Sequence, residues 1–237
     1  MTDARAELLQ RAYYASTAVA YDDAHIEAAE HRLGLQIMLA AIRHYGFNSI
    51  LDVGSGTGRA LTFVKSEVPA IQVVGVEPSA ELRAVGHKKG LTADELRHGD
   101  ALRLPFDDES FDLVCEFSAL HHIAEPRRAI CEMLRVARRG IFISDTNNFG
   151  QGSPAVRVIK QAINLVGLWR VADWVKTGGR GYSVSQGDGV AYSYSVFNHW
   201  RDIRRQCRIV HVMNTDGAGI SPYRSAAHVA VLGLKRQ

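Results

Sequence analysis

Three cysteines are too few and too scattered to brace a chain of 237 residues. Cys115, Cys131 and Cys207 are odd in number and form no C-x-x-C pair. They suggest neither a disulfide framework nor a thiolate zinc site, and a reducing compartment fits them best. Long apolar runs are missing too: no stretch reaches the roughly 18 uncharged apolar residues needed to cross a bilayer. The opening MTDARAELLQ carries acids early and no apolar run, which argues against a secretory leader. The expectation is a cytoplasmic protein with no membrane span. A dominant charge is likewise absent. Lys plus Arg number 28 against 25 Asp plus Glu, a net +3 spread along the chain. That balance gives little reason to propose a nucleic-acid partner. The densest basic cluster, Arg201, Arg204, Arg205 and Arg208, has helical spacing and reads as a solvated face.

Against these absences, 46% hydrophobic residues and 237 positions suit one α/β domain with a sizeable core. The organising stretch is ILDVGSGTG, residues 50–58. An apolar strand ends in an acid and breaks into glycines at every second position, where the backbone can turn tightly and approach a ligand. The following helix start offers unsatisfied amides and the positive end of a dipole. A second apolar strand, 71–76, closes on Glu77, and an acid about 20 residues past such a turn is suited to ribose hydroxyls. The dinucleotide fingerprint asks for G-x-G-x-x-G, however, and here the spacing is G-x-G-x-G.

Taken together, Asp52 with Gly54, Gly56 and Gly58, then Glu77-Pro78-Ser79, Gly99-Asp100-Ala101, Pro105-Phe106 and FDLV at 111–114, resemble the class I S-adenosylmethionine-dependent methyltransferases. SALHHI at 118–123 resembles the broad small-molecule group called type 11. The resemblance covers roughly residues 48–145 and implies S-adenosylmethionine as cofactor. By that likeness Gly54, Ser55, Gly56 and Gly58 hold its methionine part, with Asp52 ordering the site around the amino group. Glu77, beside Pro78, accepts the ribose hydroxyls. Asp100 meets the adenine amino group, and Ala101, Leu102 and Phe117 enclose the ring. No metal is demanded.

The fold expected is α/β, a doubly wound, seven-stranded, mainly parallel sheet. Strands at 50–53, 71–76, about 96–98, 111–116 and 140–144 alternate with helices at about 58–67, 79–88 and 126–138, which implies βαβ units. A helix at about 195–206, with segments 209–213 and 227–234, looks like the antiparallel pair that closes the family's sheet in the order 3-2-1-4-5-7-6. Residues 1–46 read as an N-terminal helical cap, with helices over 3–20 and 23–45. Residues 47–145 form the cofactor core, 146–194 an insertion and 195–237 the closing part. In the family the N-terminal helices often fold over the cofactor, which makes Tyr13, Tyr14, Tyr21 and His25 candidates for the cleft beside their plain packing role. The insertion reads as a helix at 154–176 and a hairpin around Gln186-Gly187-Asp188-Gly189, where Asp-Gly favours the positive φ of a tight turn. It is too long for a mere connection and is expected to be a substrate lid, or else a dimerisation arm in a homodimer.

For the chemistry, His121 and His122 follow the fourth strand, and an imidazole supplies a base near neutral pH. Asp145 ends strand 5 and can orient a histidine or bind an acceptor hydroxyl. Asn147, Asn148, Tyr182 and Tyr192 give the insertion a polar yet aromatic character suited to a sugar ring. DTNNFGQGS also resembles methyltransferases associated with bacterial surface-polysaccharide synthesis. The acceptor expected is therefore a small-molecule or glycosyl hydroxyl, in surface polysaccharide or glycolipid synthesis. A phenolic, quinone or lipid-like acceptor lined by Phe149, Trp169 and Trp174 is the alternative. A nicotinamide-dependent oxidoreductase and a non-catalytic cofactor binder stand further off.

Overall fold

The computed structural model describes residues 4–18, 21, 29–217 and 219–236. Its centre is a seven-stranded sheet of β1 (Ser49–Val53), β2 (Gln72–Val76), β3 (Leu96–Arg97), β4 (Phe111–Phe117), β5 (Ala137–Thr146), β8 (Cys207–Asp216) and β9 (His228–Lys235). The spatial order is β3-β2-β1-β4-β5-β9-β8. Strands β1 to β5 are parallel, while β9 runs antiparallel to both β5 and β8. This is the expected 3-2-1-4-5-7-6 order once the two strands of the insertion, β6 (Tyr182–Ser185) and β7 (Gly189–Tyr192), are counted.

Alternation along the buried strands feeds two cores. Leu51 and Val53 of β1 face one side with Val114, Ile130, Met133 and Ile141, whereas Ile50 faces the other with Met38, Ile42, Leu61, Val64 and Leu113. The period of two in a strand makes this division unavoidable. Helices α2 (Ala29–Tyr45) and α3 (Arg59–Glu67) cover the second face, and α5 (Pro126–Val136) covers the first. Close approach is needed where α2 crosses β5: a Cβ on Gly34 would stand 2.6 Å from Ser144 Oγ. Helix α4 (Ala80–Lys88) is capped by Ser79, whose side chain accepts from the Leu82 amide.

Several boundaries differ from the sequence reading. The long helix expected at 154–176 is two, α6 (Pro154–Leu165) and α7 (Trp169–Lys176), separated where Gly167 adopts φ 76°. The helix expected at 195–206 is a 3-10 turn, Val196–His199, followed by α8 (Trp200–Gln206). The N-terminal helix α1 runs Ala4–Thr17. His25 lies outside the described residues. No helix among the described residues is long and apolar enough to cross a membrane.

Candidate active site

The cleft opens at the carboxyl ends of β1, β4 and β5, the ligand position for a sheet whose strand order reverses between β1 and β4. Its floor is the turn after β1. Gly54 and Gly56 have φ of 75° and 55°, and the Gly54 and Ser55 amides donate to the Val76 carbonyl. A Cβ on Gly54 would stand 2.5 Å from Ala119 Cβ, so the bare backbone is required for the turn to pass under the loop after β4. Gly56 faces open cleft, with Tyr21 3.7 Å from where its Cβ would be. Gly58 departs from expectation. It is the left-handed N-cap of α3, its missing side chain accommodates Leu91, and it does not line the cleft.

Asp52 lines this floor, is buried, and has no cation within ion-pair distance among the described residues. Burial pushes its pKa up to about 7, opposed in part by neighbouring Ser55, whose hydroxyl donates to the Asp52 backbone carbonyl, by the Cys115 thiol and, beyond ion-pair distance, by the Arg59 guanidinium. An unpaired buried carboxylate of this kind fits a ligand ammonium. Glu77 is also buried. Its Oε2 accepts from the Gly56 amide at 3.0 Å and its Oε1 from Ser79 at 2.8 Å. Burial raises its pKa, the two amides working against that, and each oxygen retains a second lone pair for a ribose hydroxyl. These residues fit the amino-acid and ribose parts of S-adenosylmethionine.

Apart from Phe117, the residues expected at the adenine lie outside the lining of this cleft. Asp100 is exposed and its Oδ1 accepts from the Leu102 amide of its own turn, at 2.9 Å. Ala101 and Leu102 pack against the core, Pro78 is exposed, and none of the four lines this cleft. Phe117 and Ser55 do line it. Tyr21 lines it as well, and burial raises the pKa values of both Tyr14 and Tyr21, with Glu77 nearby as a further cause.

On the opposite wall, His121 and His122 form a short 3-10 turn after β4, their rings 4.0 Å apart. His121 Nδ1 lies 2.7 Å from Asp145 Oδ1, and Asp145 Oδ2 accepts from the Leu120 amide at 2.9 Å. Asp145 is wholly buried behind His121 and does not line the cleft, so it positions the imidazole. Burial pulls the His121 pKa down, but Asp145 and then Asp188 outweigh it and raise the value to about 10. With Asp145 on one ring nitrogen and Asp188 facing the other, His121 holds a proton more firmly than a free imidazole does. His122 Nδ1 stands 2.6 Å from the Val190 carbonyl, an acceptor only, so this nitrogen carries hydrogen.

Four residues given no role in the site by the sequence complete the cleft. Asp188, at the hairpin tip, points between the two histidines, 3.4 Å from each Nε2. His31 of α2 and His228 of β9 both reach Ser118 Oγ, at 3.2 Å each. Ser118 adopts φ 56°, an uncommon conformation for a residue with a side chain and one that clusters at functional sites. The hairpin is anchored from behind by α1: the Tyr13 hydroxyl donates to the Gly187 carbonyl at 2.8 Å, and Val190 N donates to Gln10 at 2.5 Å.

The four residues expected to bind substrate lie elsewhere. Asn147 is buried and fully engaged, its amide donating to the carbonyls of Pro222, Tyr223 and Ala226 and its oxygen accepting from Ser195. Asn148 Oδ1 accepts from Lys160. Tyr182 is buried and meets Tyr192 edge-on, packing under α1. None of the four lines the cleft.

Residues 51–144 match the family described as "Methyltransferase domain". That stretch carries a methyltransferase domain. It is 34% identical over 119 residues to a phosphatidylethanolamine N-methyltransferase of Cereibacter sphaeroides, covering 48% of this chain and 57% of that one. It is 37% identical over 93 residues to a demethylmenaquinone methyltransferase of Clavibacter sepedonicus, covering 38% and 37%. The chain therefore spans about half, or less, of the length of these curated relatives. A 1,6-didemethyltoxoflavin-N1-methyltransferase of Burkholderia thailandensis, solved with S-adenosylhomocysteine, shares the fold at TM-score 0.62 and 13% identity, covering 100% of this chain and 92% of that one.

Proposed function

We propose that the chain transfers a methyl group from S-adenosylmethionine to a hydroxyl of a small acceptor with a polar head, a glycosyl hydroxyl being the preferred case. The observation that carries this is the convergence, in one cleft, of a buried carboxylate without an ion-pair partner among the described residues at the glycine turn and a histidine pair on the facing loop, His121 oriented by Asp145 and His122 by the Val190 carbonyl. The cofactor supplies a methyl group already activated by a sulfonium. The chain's own work is alignment, exclusion of water and removal of a proton. Asp52 and the 54–56 turn hold the amino-acid end and Glu77 the ribose. Asp145 fixes the His121 ring, and the acceptor's proton leaves toward the imidazole and carboxylate groups gathered at 121, 122 and 188. The hairpin and α1 close over them and keep water out.

A lipid-carried acceptor is a second reading, with its own support. Helices α6 and α7 bury none of their residues, and Val158, Leu165, Val166 and Val175 are each at least 66% exposed. The two curated relatives bear names of lipid or quinone substrates. A polar head in the cleft with its apolar carrier against these helices would unite the readings as a glycolipid.

The test is incubation of the purified chain with labelled S-adenosylmethionine against sugar nucleotides, glycolipids, phospholipids and quinols, followed by mass analysis of the labelled product. His121→Ala and His122→Ala should lose turnover while binding S-adenosylhomocysteine unchanged. Full rate in both variants would rule out the histidine pair, and label on a nitrogen or carbon atom alone would rule out the hydroxyl.

A further inference from the structure

We propose that His121, His122 and Asp188 form a binding site for a divalent first-row transition-metal ion, closed when the hairpin tip meets the loop after β4. The donor atoms are the Nε2 atoms of both histidines and one carboxylate oxygen, all within 4.8 Å of one another. Each Nε2 stands 3.4 Å from a different oxygen of Asp188. That is long for a charge-assisted hydrogen bond, which usually spans ~2.8 Å. It is the right length for two ligands on one ion: bonds of ~2.1 Å to a common centre place neighbouring donors ~3.0 Å apart in an octahedron and ~3.4 Å apart in a tetrahedron.

The surroundings of the histidines point the same way. A metal-binding imidazole characteristically gives its other nitrogen to a carboxylate or a backbone carbonyl, which fixes the tautomer and aims the free lone pair. Both histidines do this. His121 Nδ1 is held by Asp145 at 2.7 Å and His122 Nδ1 by the Val190 carbonyl at 2.6 Å. With both hydrogens placed on Nδ1, two lone pairs face one carboxylate, an arrangement that repels unless protons or a cation intervene. Two imidazoles and a carboxylate on one side of an ion, with positions left open, make a donor set suited to iron, zinc or cobalt rather than magnesium. All three residues line the cleft, so the open positions face the place where the acceptor enters.

Binding of the ion stands on these side chains alone. Its use, to grip the acceptor's oxygen beside the methyl donor and acidify it, rests on the methyl transfer proposed above. The ion would also latch the lid, because Asp188 belongs to the insertion and the histidines to the cofactor core.

The experiment is titration of the chelator-treated full chain with Co²⁺, followed by visible absorption, with Zn²⁺ as competitor. One Co²⁺ per chain should bind with a new visible band and a raised melting temperature, and Zn²⁺ should displace it. Asp188→Ala and His122→Ala should each weaken binding at least 100-fold. Asp188 lies at a hairpin tip with its side chain 45% exposed, so its variant keeps the fold, as circular dichroism will verify. Absence of a band at millimolar Co²⁺, or an affinity unchanged in Asp188→Ala, would overturn the site. The readout is separate from catalysis. A chelated chain that still methylates refutes only the ion's part in the transfer, whereas an ion bound by a chain inert toward every acceptor refutes only the methyl transfer.

Discussion

Replacement of Asp52 by Asn should make the protein more stable and its cofactor binding worse, and the stability gain should depend on pH in a defined direction. Asp52 is buried without a counter-ion among the described residues, and burial raises its pKa from an ordinary 3.8 to about 7. Between those values the folded state holds a proton that the unfolded chain has released. Stability must therefore fall as pH rises across this window and level off above about 7. At 1.36 kcal/mol per pH unit the full penalty is ~4 kcal/mol, of which ~3 kcal/mol accrues between pH 5 and pH 8. Asn carries no such charge, but its amide needs partners that the Cys115 thiol and Ser55 only partly supply, at ~1–3 kcal/mol. Asp52→Asn should then be close to neutral at pH 5 and ~2 kcal/mol more stable than the parent at pH 8.

Urea unfolding of both proteins at pH 5 and pH 8, with and without S-adenosylhomocysteine, reads both effects. The parent should gain about 2.7 kcal/mol at a ligand concentration 100 times its dissociation constant, and the variant much less under the same conditions. A stability difference that stays constant from pH 5 to pH 8 would refute the buried, unpaired carboxylate. An undiminished ligand shift would refute its role in holding the amino end.

Asp145→Asn breaks a buried pair and should cost ~3 kcal/mol near neutral pH. The raised pKa of His121 contributes stability fully present below 6.5 and lost as pH rises through about 10, while the lowered pKa of Asp145 contributes stability lost as pH falls through its folded value. The deficit of the variant, measured by denaturant unfolding, should accordingly shrink at both extremes. Gly54→Ala combines a left-handed φ with a Cβ 2.5 Å from Ala119 and should cost ~2 kcal/mol or more while abolishing cofactor binding, as thermal shift with S-adenosylhomocysteine will check. Asn147→Ala removes the side-chain donor of the Tyr223 and Ala226 carbonyls, while the Pro222 carbonyl keeps the Ala226 amide. It should lower stability by ~3 kcal/mol with the acceptor KM unchanged, and a raised KM in a fully stable variant would restore Asn147 to the substrate site.

The parts of the site that were legible in the sequence are those fixed by local rules. The 54–56 turn announces itself because glycine alone takes those φ values freely, and Glu77 because β2 ends where β1 ends. The hairpin at 186–189 follows from Asp-Gly at a turn. What stayed hidden depends on partners far along the chain. Asn147 looks like a recognition amide until the carbonyls of 222–226 claim its hydrogens, and Ser118 looks like ordinary loop until His31 and His228 arrive from opposite ends of the chain. Asp188 was read only as a turn residue, because nothing in a hairpin motif states what its tip will touch.

The carboxylates in and behind the cleft carry a further distinction. Asp52, Glu77, Glu116, Asp145 and Asp188 all lose hydration, and for each of them burial is the largest influence, acting to raise the pKa. Yet only the first three end above their ordinary values. Asp145 and Asp188 end below because imidazoles stand against them, at 2.7 and 3.4 Å. The direction of the shift therefore separates acids with an imidazole directly against a carboxylate oxygen from acids whose cations, Arg59 for Asp52 and Arg83 for Glu77, act too weakly to offset burial. Glu116 is of the second kind but is used up structurally, its two oxygens accepting from the Ala119 and Ser144 amides. That leaves Asp52 and Glu77, one on each side of the glycine turn, as the groups whose unmet demand for a hydrogen-bonding or cationic partner a ligand must answer. The wall at 121, 122 and 188 sets one carboxylate against two imidazoles, to be bridged by protons or by the ion proposed above, and acts on what that ligand brings.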